Sequence, residues 1–174
     1  MIQKCSSWIV LREFLINPMK QWHIRQLSRV THLATTSVKL HLKKLSKEGL
    51  VSEKDTDIFK HYESQFDNEK FRFYKKIDTL LRIQDSGIVE HIDEKCSPDT
   101  IVLFGSCAKG EDLDRSDMDI YVQSKERLLD LKHYEKSLKR KIQLFFAGDI
   151  NKLPKELRNN ILNGIKLEGY LKVF

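Results

Sequence analysis

Apolar residues recur at three- and four-residue intervals through the first half of the chain, then give way to short continuous runs. Trp8, Ile9, Leu11, Phe14, Leu15 and Ile16 predict a helix over residues 6–16, buried on one face. Asn17-Pro18 ends it, because the residue before a proline is pushed out of the helical region. A short helix over 24–30, a turn over 31–33 and a helix from about 34 to 48 come next. In the last of these, Val38, Leu42 and Leu45 fall at i, i+4 and i+7 as one inward stripe, while Lys39, Lys43, Lys44 and Lys47 lie off it. Gly49 is placed to close that helix in the left-handed conformation. Residues 50–54 read as a strand, 55–57 as a turn and 58–66 as the returning strand. Phe71, Tyr74, Ile77 and Leu81 then mark a long helix over about 67–84.

Three short helices followed by a hairpin is the layout of a winged helix-turn-helix. Residues 35–51, from Thr35-Thr36-Ser37-Val38-Lys39 to Gly49-Leu50-Val51, resemble the recognition helix and first wing strand of prokaryotic winged-helix regulators. The resemblance implies that Thr35, Thr36 and Ser37 face a major groove and that Lys39, Lys43 and Lys44 grip phosphates. Charge agrees with a polyanionic partner such as double-stranded DNA. Residues 1–85 hold 16 Lys+Arg and 10 Asp+Glu, whereas residues 86–174 hold 15 of each, so the whole net charge of +6 lies in the first half. Winged-helix proteins commonly dimerise to read two half-sites, and a homodimer is compatible with this sequence, although no residue pattern marks its face.

The second half changes character. After a short helix over 88–94 and a turn at Ser97-Pro98-Asp99, Thr100-Ile101-Val102-Leu103-Phe104 is a β-rich apolar run fit for a buried strand. It ends in Gly105-Ser106. After a gap of ten residues comes Asp117-Met118-Asp119, leading into Ile120-Tyr121-Val122. A glycine directly after a strand lets the backbone turn sharply and lets a phosphate come close. Ser106 adds a hydroxyl and Lys109 a positive charge, in what reads as a slim loop through Ala108 and Gly110. Asp117 and Asp119 point to one side of a strand, and a hard divalent cation such as Mg²⁺ relieves the repulsion of such a pair.

Gly105-Ser106, the gap and Asp117-x-Asp119 resemble the signature of the DNA polymerase β-type nucleotidyltransferase superfamily, and in particular its minimal nucleotidyltransferase branch. The resemblance covers roughly residues 86–174 and includes Ile161 to Tyr170, similar to that branch's last helix and strand. It implies that Gly105, Ser106 and Lys109 bind the phosphates of ATP or another nucleoside triphosphate. It makes Asp117 and Asp119 the catalytic, Mg²⁺-ligating pair. It further implies transfer of a nucleoside monophosphate to an acceptor, and an antitoxin role beside a HEPN-type protein partner. Two positions depart from the family. The family's third carboxylate is matched by Gln143, within Lys141-Ile142-Gln143-Leu144-Phe145-Phe146, and an amide can neither act as a base nor carry charge. Asp149 follows in a loop, poorly placed to substitute, and Cys107 stands where the branch often has arginine.

The expected fold is α+β: a winged helix-turn-helix over 1–66, a linking helix over 67–85 and a small mixed-sheet nucleotidyltransferase domain over 86–174. No apolar run approaches the roughly 18 residues of a membrane span, and Cys5, Cys96 and Cys107 form no CxxC pair, so a reducing cytoplasm is the expected location. The six histidines show no ligand spacing, and Trp8 and Trp22 read as core residues. Lys136, Lys139, Arg140 and Lys141 read first as a solvated helix end, second as another polyanion contact. Two functions stay open: a nucleotidyltransferase, or a non-catalytic DNA-binding regulator whose nucleotidyltransferase fold senses nucleotide or docks a partner.

Overall fold

The computed structural model describes residues 2–55 and 60–172, and the chain divides into two units, Met1–Asp78 and Thr79–Phe174. In the first, α1 (Ser6–Ile16) buries Trp8, Val10, Leu11, Phe14 and Leu15 and stops at Asn17. The next helix, α2 (Ile24–Thr31), ends at His32, which adopts the left-handed conformation at φ 56°. The longest of the three, α3 (Thr35–Lys47), turns Val38, Leu42 and Leu45 inward, and Gly49 follows at φ 72°. These stripes meet Trp22, Leu27, Leu50, Val51, Tyr62 and Phe71 in one core.

Strands β1 (Val51–Asp55) and β2 (Lys60–Ser64) pair antiparallel from Val51↔Ser64 to Asp55↔Lys60. Of the predicted turn and returning strand, Thr56, Asp57, Ile58 and Phe59 lie outside the described residues. Trp22 forms an isolated antiparallel bridge with Tyr62, which ties the segment before α2 to the hairpin.

The long helix α4 (Glu69–Ser86) contains the point of division between the units. Its buried stripe in the first unit differs from the predicted one. Phe71 is buried, but Tyr74 and Ile77 are only partly so, and Lys75 and Asp78 take the inner positions. Partners explain this. Lys75 Nζ donates to the Leu15 carbonyl at 2.5 Å, and Arg12 Nε donates to Asp78 Oδ1 at 2.7 Å. Buried charge is tolerated when paired, and an apolar period cannot anticipate it.

The second unit opens with α5 (Ile88–Cys96), and β3 (Thr100–Phe104) follows with all five residues buried. Then come α6 (Gly105–Lys109), β4 (Met118–Val122), α7 (Lys132–Leu138), β5 (Ile142–Phe146), α8 (Lys155–Leu162) and β6 (Ile165–Gly169). The strand order is β5-β4-β3-β6, with β4 and β5 parallel and the other pairs antiparallel. Both faces of the sheet are covered. Ile101, Leu103, Met118, Ile120 and Val122 face a layer that includes Ile88, Ile92 and Leu138. Val102, Phe104 and Tyr121 face Ile150 and Ile161. Strand alternation therefore sends Asp119 to the same face as Tyr121.

Two expectations change. The predicted slim loop after β3 is a five-residue helix, in which Cys107 and Ala108 are buried and Gly110 caps the end at φ 73°. Cys107 is a buried filler whose thiol donates to the Asp117 carbonyl at 3.5 Å. Arg140 is not part of a solvated helix end: it is buried, and its Nη2 lies 2.5 Å from Asp112 Oδ2. Among the described residues the architecture is α+β, with eight α-helices and two small sheets, and no helix is long and apolar enough to cross a membrane.

Candidate functional site

The site in the second unit grows from two antiparallel neighbours. Phe104 at the end of β3 is in register with Asp119 near the start of β4. The chain must turn immediately after Phe104, and Gly105 does so at φ +73°, a conformation that side chains disfavour. A Cβ at Gly105 would overlap Asp119 Oδ2. The glycine backbone and the carboxylate thus pack directly against each other, as a close approach to the main chain requires. Ser106 follows, partly buried, in the first turn of α6.

Asp117 lies one residue ahead of β4 and is exposed, whereas Asp119 is partly buried. Burial raises the Asp119 pKa above the ordinary value, and the negative charge of Asp117 adds to the shift. Asp119 therefore ionises against both its burial and the neighbouring charge, and a cation placed beside it would relieve both effects. Across the parallel pair, Gln143 is the register partner of Asp119 and is exposed. Among the described residues, no group of three or more His, Cys, Asp or Glu side chains is arranged to hold a metal. Two carboxylates are nonetheless a donor set that Mg²⁺ accepts when phosphate oxygens complete its shell.

Residues 86–168 match the family model described as polymerase beta, nucleotidyltransferase. No curated protein and no solved structure matches the chain. The nucleotidyltransferase match spans the sheet from β3 to β5 and most of β6, and so includes Gly105, Ser106, Asp117, Asp119 and Gln143.

Of the candidates in the matched segment, the structure brings Gly105, Asp117, Asp119 and Gln143 to one end of the β3–β4–β5 strands. Lys109 stands exposed at the far end of α6, with no described contact to the carboxylates. Asp149 is engaged elsewhere, its Oδ1 accepting from the Asn151 N–H at 2.9 Å.

In the first unit, Thr35, Thr36, Lys39, Lys43 and Lys44 are exposed along α3, and Ser37 is partly buried. Leu40 shares that outer face at 54% exposure, which the charge pattern overlooked. His41 is held by Ser7, with Oγ and Nδ1 2.7 Å apart, and burial followed by the Lys44 charge lowers its pKa. The hairpin is less basic than a phosphate-gripping wing would suggest, since Lys60 lies 2.5 Å from Glu53 Oε1.

Sequence reading also missed the partner of Arg140. This guanidinium bonds the Leu113 carbonyl, the Ser116 carbonyl at 3.0 Å and Asp112, and so fixes the segment that delivers Asp117. Nothing in the spacing of Asp112 and Arg140 announces that pair.

Proposed function

We propose that the second unit binds a Mg²⁺–nucleoside triphosphate at Asp117 and Asp119 and transfers its nucleoside monophosphate to an acceptor hydroxyl. The observation that carries this reading is the contact of the Gly105 backbone with the Asp119 carboxylate, beside a second carboxylate whose charge Asp119 feels. Asp117 and Asp119 would hold the cation, which when bound would neutralise the triphosphate and polarise its phosphorus centre. Gly105 leaves the main chain open to a phosphate, and Ser106 offers a hydroxyl to it. In the transfer, the acceptor oxygen bonds to the α-phosphorus while the bond to the departing pyrophosphate breaks. The acceptor proton passes to water, since the Gln143 amide has no basic atom.

The first unit is, in this reading, a winged helix-turn-helix that binds double-stranded DNA through α3. Its support is three helices with an antiparallel hairpin, and an outer face of α3 carrying Lys39, Lys43, Lys44 and Lys47. Replacing Lys39 and Lys43 by Glu is expected to abolish duplex binding; unchanged affinity in a mobility-shift titration refutes the assignment.

Transfer is tested with ATP labelled at the α-phosphate. Label is expected on an acceptor, a HEPN-type protein among those offered, and is expected to vanish in Asp119→Asn. Equal labelling by that variant overturns the site. Gln143 beside Asp119 favours a second reading, a regulator that binds nucleotide without transferring it. That version predicts calorimetric binding of Mg²⁺-ATP and altered duplex affinity with no labelled product.

A further inference from the structure

Seven residues of α3 are exposed, and six of them are threonine or lysine. The seventh is Leu40, at 54% exposure. A single leucine on a protein surface is ordinary, so exposure alone assigns it no task. Its position does. Thr36, Leu40, Lys43 and Lys47 follow the spacing i, i+4, i+7 and i+11, and so form one line along the helix. Lys39 and Lys44 flank that line on either side. With 3.6 residues per turn, Leu40 lies about half a turn around the helix from the inward stripe of Val38, Leu42 and Leu45. It therefore sits at the crest of the face.

The helix is held at this rotation. Val38, Leu42 and Leu45 are buried in the core of the first unit. His41, next in the chain to Leu40, is tied to Ser7 on α1, with Nδ1 and Oγ 2.7 Å apart. Turning Leu40 inward would break both sets of contacts, so its outward position belongs to the fold.

The surroundings select what the crest meets. The helix carries four lysines and no carboxylate, which suits a polyanion. An α-helix with its side chains is about 10–12 Å across, and the major groove of duplex DNA is about 12 Å wide. Lysines on the flanks of such a helix meet the phosphate rows, while its crest meets base edges. Leucine has no donor or acceptor, and against polar base edges it would leave hydrogen bonds unmade. The apolar feature of that groove is the 5-methyl group of thymine. 5-Methylcytosine presents the same group.

We propose that Leu40 reads the 5-methyl group of a pyrimidine in the major groove. The first unit then prefers duplexes carrying thymine or 5-methylcytosine over the same duplexes with uracil or cytosine. This assignment rests on the winged-helix reading of the first unit and is independent of the nucleotidyltransferase.

The test uses the full-length chain and two pairs of labelled duplexes. One pair is alternating adenine–thymine DNA and its adenine–uracil counterpart; the other is alternating guanine–cytosine DNA with and without 5-methylation of cytosine. Affinities are measured by fluorescence anisotropy at fixed salt. The methylated member of a pair is expected to bind about fourfold more tightly, the scale of burying one methyl group. A gain in either pair supports the contact and identifies the base that is read. Leu40→Gln, an exposed replacement by another good helix former, is expected to bring the two affinities together. Its salt dependence should stay that of the parent, because no charge is altered. Equal affinities within both pairs for the parent chain overturn the proposal while leaving duplex binding in place. A methyl preference that persists in Leu40→Gln also overturns it, since the contact then lies elsewhere. Light scattering supplies the last arm: a fall in the mass of the free protein on Leu40→Gln would assign the leucine to a contact between copies instead. No binding to any of the four duplexes would refute the winged-helix reading together with this one.

Discussion

Asp119 on β4 and Gln143 on β5 are register partners in a parallel pair, so the amide stands beside the partly buried carboxylate on one face of the sheet. Gln143 can accept or donate hydrogen bonds there, but it cannot take a proton or neutralise a second cation. The position is an open geometric slot for a third acid.

Gln143→Asp is therefore expected to raise divalent-cation affinity and to increase nucleotidyl transfer by about 100-fold or more, the scale of an added general base. Labelled transfer and Mn²⁺ titration check this. A variant that folds, binds the metal no better and transfers no faster would remove the slot from the site.

Gly105→Ala combines a left-handed backbone with overlap of Asp119 Oδ2. The expected cost is about 1–3 kcal/mol in stability, together with loss of Mg²⁺-nucleotide binding. Urea unfolding paired with calorimetry separates the two effects. Retained nucleotide affinity would show that the carboxylate can move aside without consequence.

How far these residues were visible beforehand differs from place to place. The strand Thr100–Phe104 and the two aspartates were legible because a continuous apolar run and a DxD tripeptide are local signals. The helices of the first unit were legible for the same reason, since their stripes follow the helical period. Lys75 and Asp78 were not, because their inward position depends on the Leu15 carbonyl and on Arg12, distant in the chain. The helix over Gly105–Lys109 was read as a loop because small residues and glycines suit both. Arg140 was misread because a basic run looks solvated until Asp112 is found beneath it.

Arg140 and Asp112 form a buried pair, with side chains 5% and 1% exposed. Removing one partner strands the other, so Arg140→Met is expected to destabilise the second unit by about 3–5 kcal/mol. Arg140→Met with Asp112→Leu should recover much of that loss. Far-ultraviolet circular dichroism during denaturation follows both; an Arg140→Met variant as stable as the parent would show that the pair contributes nothing.

Two phenols should titrate late. Burial, then the hydrogen bond to Glu53, pushes the Tyr62 pKa from 10.0 up to about 12. Burial, then Asp149, does the same for Tyr121. A raised folded-state pKa means that this stabilisation is whole below pH 10 and is lost as the pH climbs towards about 12. Tyrosinate absorbance in an alkaline titration is expected to lose part of its latest component in Tyr62→Phe and another part in Tyr121→Phe. No change in either variant would contradict the buried environments.

The chain has only two tryptophans, Trp8 and Trp22, and both are buried in the first unit, with Lys20 Nζ 3.7 Å from the Trp22 ring centroid. Indole emission is therefore a one-sided gauge. It will register melting of the helices and hairpin around it and stay blind to the sheet that carries Asp119. Followed alongside an ellipticity that averages over the whole chain, it turns the native protein into its own two-channel recorder, with no added dye needed to tell which half has given way.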